Sequence, residues 1–217
     1  MVSAVTINNK VNYGFAKAAA ALGFPYSWYR PGTVPGIPIQ DGNLLGTVTA
    51  YITTDASLKS TVPPENNKPI WFGAYDTTLT QPGDYLVGQQ GTYFIATEFL
   101  PSPPSLVYCN ANLTVQRDGG STPSPQARFG SLLNPTILAQ DFPGWLMSAE
   151  RRTTPELAMP GDVPLPSANI MLPVSVTSEI LRGDIILDIG TTTQTYNVQS
   201  ADLLFAAWNI VALQSGG

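Results

Sequence analysis

"QPGDYLVGQQGTYFIA", residues 81–96, and "LRGDIILDIGTTTQTYNVQ", residues 181–199, carry nearly the same message one hundred residues apart. In each, a Gly-Asp turn opens a short apolar strand, a second turn reverses it, and a strand carrying a tyrosine returns. Gly83–Asp84 aligns with Gly183–Asp184, Tyr85–Val87 with Ile185–Leu187, Tyr93 with Tyr196, and the alternating run "LVYCNANLTV" with "AWNIVAL". The second copy is longer, with twelve positions from Asp184 to Tyr196 against nine from Asp84 to Tyr93. A duplicated or convergent β-unit is the expectation.

Outward from these phrases, the period-two pattern recurs. "GTVTAYITTD" sets Val48, Ala50 and Ile52 against Thr47, Thr49 and Tyr51, which predicts a strand covered on one face. Residues 106–117, "LVYCNANLTVQR", read as the longest alternating strand. Strands are also expected in "ANIMLPVSVT", at Tyr196–Val198 and at Trp208–Leu213. Near the start, Val11, Phe15, Ala18, Ala19 and Leu22 recur at helical spacing. They predict a helix over about 9–22, capped by Asn8 or Asn9, stopped by Gly23 and Pro25, and preceded by an extended Ala4–Ile7. "FPYSWYRPGTVPGIPI", residues 24–39, with its prolines and aromatics, predicts an ordered loop. Its aromatics either fasten the loop to its own core or make external contacts. Trp28, Tyr29, Arg30 and, further on, Trp71 are the candidate interface residues, because Trp, Tyr and Arg dominate interface hot spots.

"DGGSTPSPQ", residues 118–126, is the clearest linker signal. The expected organisation is therefore residues 1–117 as helix, aromatic-Pro loop and first β-unit, 118–126 as linker, and 127–217 as second β-unit. The last begins with a short helical or irregular stretch in "FGSLLNPTILAQDFPGWLMSAERR". The predicted fold class is mainly β: small β-barrel or β-sandwich units with an N-terminal helix and long Pro-rich loops.

Catalytic templates fail one after another. The sequence has no histidine, so imidazole acid–base catalysis and the usual triads are excluded, as are the usual zinc sites. "YDTTLT" at Asp76 resembles an aspartic-protease turn but has Thr78 where the close approach of two aspartates needs glycine, and Asp188 in "LDIGTTT" has Ile where a hydroxyl residue belongs. No phosphate loop has its lysine and context, and the acids are too scattered for calcium. Cys109 stands alone and reads as a small buried hydrophobe, leaving no intrachain disulfide. No enzyme activity, cofactor, metal or catalytic residue is expected.

Charge is scarce. Charged residues are 12% of the chain, against roughly 25% in an average soluble protein. Such a surface suits a subunit packed against neighbours, since interface cores are depleted of charge. Of ten Lys and Arg residues only Arg151 and Arg152 are adjacent, so no basic stripe exists to hold nucleic acid, and the net charge of −5 opposes phosphate adsorption. The N-terminus lacks the basic-then-apolar form of a signal peptide and no apolar run reaches membrane-spanning length, so no membrane association is expected.

The stretch "GDYLVGQQGTYFIATEFLPSPPSLVYCNANLTVQR", from Gly83 to Arg117, resembles small virion proteins of tailed bacteriophages, the neck or collar head-to-tail connector proteins. A weaker likeness runs from Gly183 to Gln214, and "AAAALGFPYSWYRP" is similar to the N-terminal helix and aromatic-Arg-Pro loop of phage structural proteins. The resemblance covers about half the chain. It implies small β-barrels, a homo-oligomeric ring between portal or adaptor and tail proteins, and DNA passing through the channel without specific binding. It also implies a place in the virion, at neck or tail, after assembly in the host cytoplasm. The chain departs from the simplest connectors in its length and its two Gly-Asp units. The alternatives are a baseplate or tail-hub component and, in another class, a monomeric carbohydrate-binding β-module stacking sugars on Trp28, Tyr29 and Trp71.

Overall fold

The computed structural model describes residues 3–32, 36–54, 69–118, 135–149, 167–177, 179–190 and 193–215. Helix α1 spans Ala4–Leu22. The Ser3 hydroxyl caps it by accepting from the Thr6 N–H at 3.3 Å, leaving Asn8 and Asn9 inside the helix. The expected extended start is therefore helical. A serine cap satisfies one orphan donor of the first turn. At the other end the Gly23 N–H donates to the Ala19 carbonyl at 2.7 Å. A Cβ on Gly23 would lie 2.6 Å from that same carbonyl oxygen and 2.7 Å from the Ala50 backbone, so only glycine lets the chain turn this close to the sheet.

The first sheet is a closed six-stranded barrel: β1 (Phe24–Tyr29), β2 (Leu44–Thr53), β3 (Ile70–Ala74), β4 (Tyr85–Gly88), β5 (Gly91–Thr97) and β6 (Ser105–Cys109), in the order β1-β2-β3-β6-β5-β4. Residues 24–29 were expected to be loop and are a strand. Pro25 falls outside the ladder to β4, which covers only Ser27–Tyr29, so its missing N–H breaks no bond on that side. Tyr26, Val48, Ala50, Ile52, Leu86, Tyr93, Ile95 and Leu106 fill the interior. α1 lies across β2 and β3 on the outside.

The second sheet closes likewise: β7 (Ala111–Asp118), β8 (Pro135–Ala149), β9 (Ser167–Pro173), β10 (Ile185–Ile189), β11 (Thr193–Leu204) and β12 (Ala207–Ser215). Read from β7, its order is β7-β8-β9-β12-β11-β10, which is the order of the first barrel advanced by six strands. The registers repeat too. Tyr85 faces Phe94 and Ile185 faces Asn197; Phe94 faces Val107 and Asn197 faces Leu213. Even the bulge is repeated, at Ala96 between Ile95 and Thr97 and at Gln199 between Val198 and Ser200.

Two expectations are corrected here. Residues 106–117 are two strands, broken at Asn110, because alternation alone does not reveal where a chain leaves one barrel for the next. The first barrel ends with β6 at Cys109 and the second begins with β7 at Ala111; the expected linker 118–126 lies, apart from Asp118, outside the described residues. Within "FGSLLNPTILAQDFPGWLMSAERR", residues 135–149 form β8 where a helical or irregular stretch was expected. Pro143 cannot sit inside a helix without losing a hydrogen bond, and Asp141 at φ 52° together with two register shifts against β7 lets the long strand bend around the barrel. The Pro-rich segments at 55–68 and 150–166 lie outside the described residues.

The barrels share apolar contact. One continuous cluster runs from the outer face of the first, at Tyr85, Phe94, Val107 and Cys109, to the interior of the second, at Leu113, Val115, Phe142 and Tyr196. Within it the buried Tyr85 hydroxyl donates to the Pro143 carbonyl at 2.7 Å. The Ala206 N–H also donates across the junction to the Ala96 carbonyl at 3.2 Å.

Candidate interaction surfaces

The Gly-Asp phrases are clasps. Asp84 is fully buried and accepts from Trp28 Nε1 at 2.7 Å, from Arg30 Nε at 2.9 Å and Nη2 at 2.8 Å, and from the Gln81 N–H at 3.0 Å. Gly83, at φ 95°, takes the left-handed conformation that aims the carboxylate inward. Asp184 repeats the arrangement: Arg117 Nε lies at 2.7 Å, Nη2 at 2.8 Å and the Leu181 N–H at 2.8 Å, beside Gly183 at φ 96°. Each arginine's Nη2 also reaches a backbone carbonyl five residues before its aspartate, that of Leu79 or of Glu179. Hydrogen bonding to the buried carboxylate raises both guanidinium pKa values above the ordinary value. A bidentate pair of this kind ties β1 to the β4 end, and β7 to the β10 end, at the point where each barrel closes.

Two of the four candidate contact residues are therefore occupied internally. Trp28 donates to Asp84 and lies under the Arg30 guanidinium, 5.3 Å from its ring centroid. Tyr29 is half-buried and packs against the inter-barrel cluster. Trp71 packs edge-on against Tyr93 at 5.6 Å and tilted against Tyr108 at 6.2 Å. The structure brings Trp28 and Arg30 together, leaves Trp71 on a separate aromatic cluster, and offers no single exposed platform of Trp28, Tyr29 and Trp71.

Asp76 and Asp188 lie in different barrels. Asp76 accepts from Asn12 Nδ2 at 3.0 Å, from Thr78 Oγ1 at 2.6 Å and from the Thr78 N–H at 3.0 Å. The Thr78 hydroxyl above all holds its carboxyl below the ordinary aspartate value. Asn12 in turn accepts from the Thr77 N–H at 2.9 Å, so this turn fastens α1 to the barrel. Glu98, raised chiefly by desolvation, accepts from Tyr75 Oη at 3.0 Å and Thr80 Oγ1 at 2.5 Å. Burial pushes the Cys109 thiol far up, which leaves it un-ionised at neutral pH. Among the described residues no group of three or more His, Cys, Asp or Glu side chains is placed to hold a metal ion. None of the described helices is long and apolar enough to cross a membrane.

What sequence patterns missed is a greasy crest at the barrel junction. The tip of the β11–β12 hairpin carries Leu203, Leu204 and Phe205 outward, with Phe205 at φ 58° and 72% exposed. Its ring meets Phe99, 66% exposed, edge-on at 5.9 Å. Beneath them a cavity of about 360 Å³ is lined by Ile70, Ala96, Val107, Met171 and Ala207. A second cleft at the junction, of about 820 Å³, is more polar and includes Asn110, Asn112, Asp141 and Asp188. A signal for the crest existed in "LLFAAW", an apolar run too long for simple alternation.

No model of a known protein family matches this sequence, and neither does any curated protein or solved structure.

Proposed function

We propose that the protein is a structural subunit of a tailed-phage neck, a collar or head-to-tail connector that forms a homo-oligomeric ring between portal and tail around the DNA channel. The observation that carries the proposal is the exposed Phe99–Phe205 crest beside an apolar cavity, on a molecule with 12% charged residues. Exposed apolar surface rimmed by little charge marks a protein–protein contact. The neck location itself rests on the resemblance of Gly83–Arg117 to connector proteins. Two barrels joined through a common apolar cluster suit a subunit that transmits position and not chemistry. The net charge of −5 suits a wall that DNA passes without adhering.

A baseplate or tail-hub position would use the same crest on different neighbours. The sugar-binding alternative loses its platform, since Trp28 and Trp71 are engaged in separate internal contacts.

Antibody labelling of virions viewed by electron microscopy tests the assignment. Label at the junction of head and tail is the expected result. Label confined to the distal tail tip would move the protein to the baseplate, and unlabelled particles would overturn the virion assignment.

A further inference from the structure

Phe205 sits where a hairpin ordinarily places glycine. Leu204 pairs with Ala207, which leaves Phe205 and Ala206 as a two-residue loop, and the first position of that loop takes φ 58°. Loops of this length need left-handed backbone and fill it with Gly, Asn or Asp, because a bulky side chain there is strained. The turn is held from both sides: the Ala206 N–H donates to the Ala96 carbonyl at 3.2 Å, and the Ala206 carbonyl accepts from the Val174 N–H at 2.9 Å. A costly conformation, fixed by two hydrogen bonds and aiming an aromatic ring at solvent, is the kind of strain found at contact sites.

The ring stands over the junction cavity, one wall of which is a face of β9, β11 and β12. Cross-strand pairing sets Asp202, Asn209 and Met171 in one row and Leu204 and Ala207 in the next. The first barrel and the loop after β5 contribute Ile70 and Phe99. No ionisable side chain lines the cavity. Asp202, directly across from Asn209, is exposed at the rim and has no side-chain partner among the described residues. The site therefore combines an uncharged interior with one negative charge at its edge.

These features select the occupant. A cavity of about 150 Å³ takes one benzene ring, so one of about 360 Å³ has room for about two apolar side chains. A small molecule filling it would leave Leu203, Leu204 and Phe205 in water around the mouth, whereas a protein surface covers both. Both barrels are closed, so neither offers a strand edge to extend, and a partner must enter by its side chains. Two crests of identical chains set against each other would bring Asp202 toward its own copy, like charge against like, and would stop at two copies.

We infer that the Phe205 crest and the cavity beneath it receive a segment of a different protein of the particle, which inserts apolar side chains and sets a Lys or Arg against Asp202. The inference rests on the structural-subunit reading and names the chemistry of the neighbour. The fixed turn lowers the ordering cost of the contact.

The test is photo-cross-linking in assembled virions with p-benzoylphenylalanine in place of Leu204. The expected product joins this chain to one segment of another virion protein, a segment with apolar residues beside a Lys or Arg. That segment, as a synthetic peptide, should bind the purified full chain. Leu204→Asp and, separately, Asp202→Lys should weaken binding about tenfold or more with circular dichroism unchanged. A peptide with Glu in place of its basic residue should recover binding to the Asp202→Lys variant. Cross-links confined to this chain or to a second copy, or a small molecule retained by the purified protein in native mass spectrometry, would overturn the occupant. Undiminished peptide binding by both variants would overturn the site. Virions that carry the antibody label but give no cross-link would overturn the surface and leave the virion assignment standing, whereas unlabelled virions would overturn both.

Discussion

Arg117 Nε lies 2.7 Å from Asp184 Oδ1, and Arg30 Nε lies 2.9 Å from Asp84 Oδ1, so one clasp closes each of two barrels wired alike. The backbone around it is also repeated. The Gly83 N–H donates to Ile95 and the Gly183 N–H to Val198, at 2.8 and 2.9 Å, and each aspartate carbonyl accepts the return bond at 2.9 Å. This correspondence turns a loose sequence repeat into a structural duplication, and it makes the differences between the barrels informative.

The first prediction uses one such difference. Asp84 has a third side-chain donor atom in Trp28 Nε1, whereas Val115 stands at the matching place in the second barrel and donates nothing. Removing either arginine leaves a buried carboxylate without its cation, which costs about 3–5 kcal/mol in a fully buried pair. Arg30 and Arg117 are about one-third exposed, so water recovers part of this and about 2–3 kcal/mol is expected. Urea unfolding should place Arg117→Ala below Arg30→Ala in stability. Equal losses would mean that Trp28 contributes nothing to holding Asp84.

Tyr85 joins the barrels through a buried hydrogen bond to Pro143. Tyr85→Phe leaves that carbonyl unsatisfied and should cost about 1–3 kcal/mol. Because the apolar cluster is continuous across the junction, the loss should shift a single unfolding transition. Separation into two transitions would show that the barrels unfold independently.

Acid should loosen α1. Asp76 has a folded pKa below its unfolded value, so its contribution is present above the ordinary aspartate range, near pH 4, and is lost as pH falls through the lower folded value. Asp76→Asn should therefore be less stable than the parent at neutral pH, with the gap narrowing below about pH 4. A gap independent of pH would contradict the Thr78 and Asn12 hydrogen bonds as its source.

Cys109 should resist a thiol reagent in the native protein and react promptly in denaturant, since burial keeps it protonated and covered. Rapid native labelling would show that β6 opens locally.

The parts of this fold legible in the sequence were those fixed by short-range chemistry. The Gly-Asp hairpins, the alternation of Val48, Ala50 and Ile52, and the Gly23 stop all depend on neighbours within a turn or two. The strand at 24–29 was hidden because proline and aromatic residues mark loops as often as barrel edges, and only the closing partner β4 decides. β8 was hidden because Leu138, Phe142, Trp145 and Leu146 also satisfy helical spacing. The clasps were illegible for a different reason: arginine and aspartate stand 54 and 67 residues apart, a separation over which local pattern carries no information. Their only trace was one Arg near the end of the strand that opens each unit.

The central claim, a ring-forming structural subunit, is tested most directly by the mass of the purified protein in solution, alone and mixed with portal and tail proteins of the same particle. A closed assembly of many copies, formed alone or on a portal or tail ring, is the predicted result. A monomer at every concentration that binds neither neighbour would contradict it.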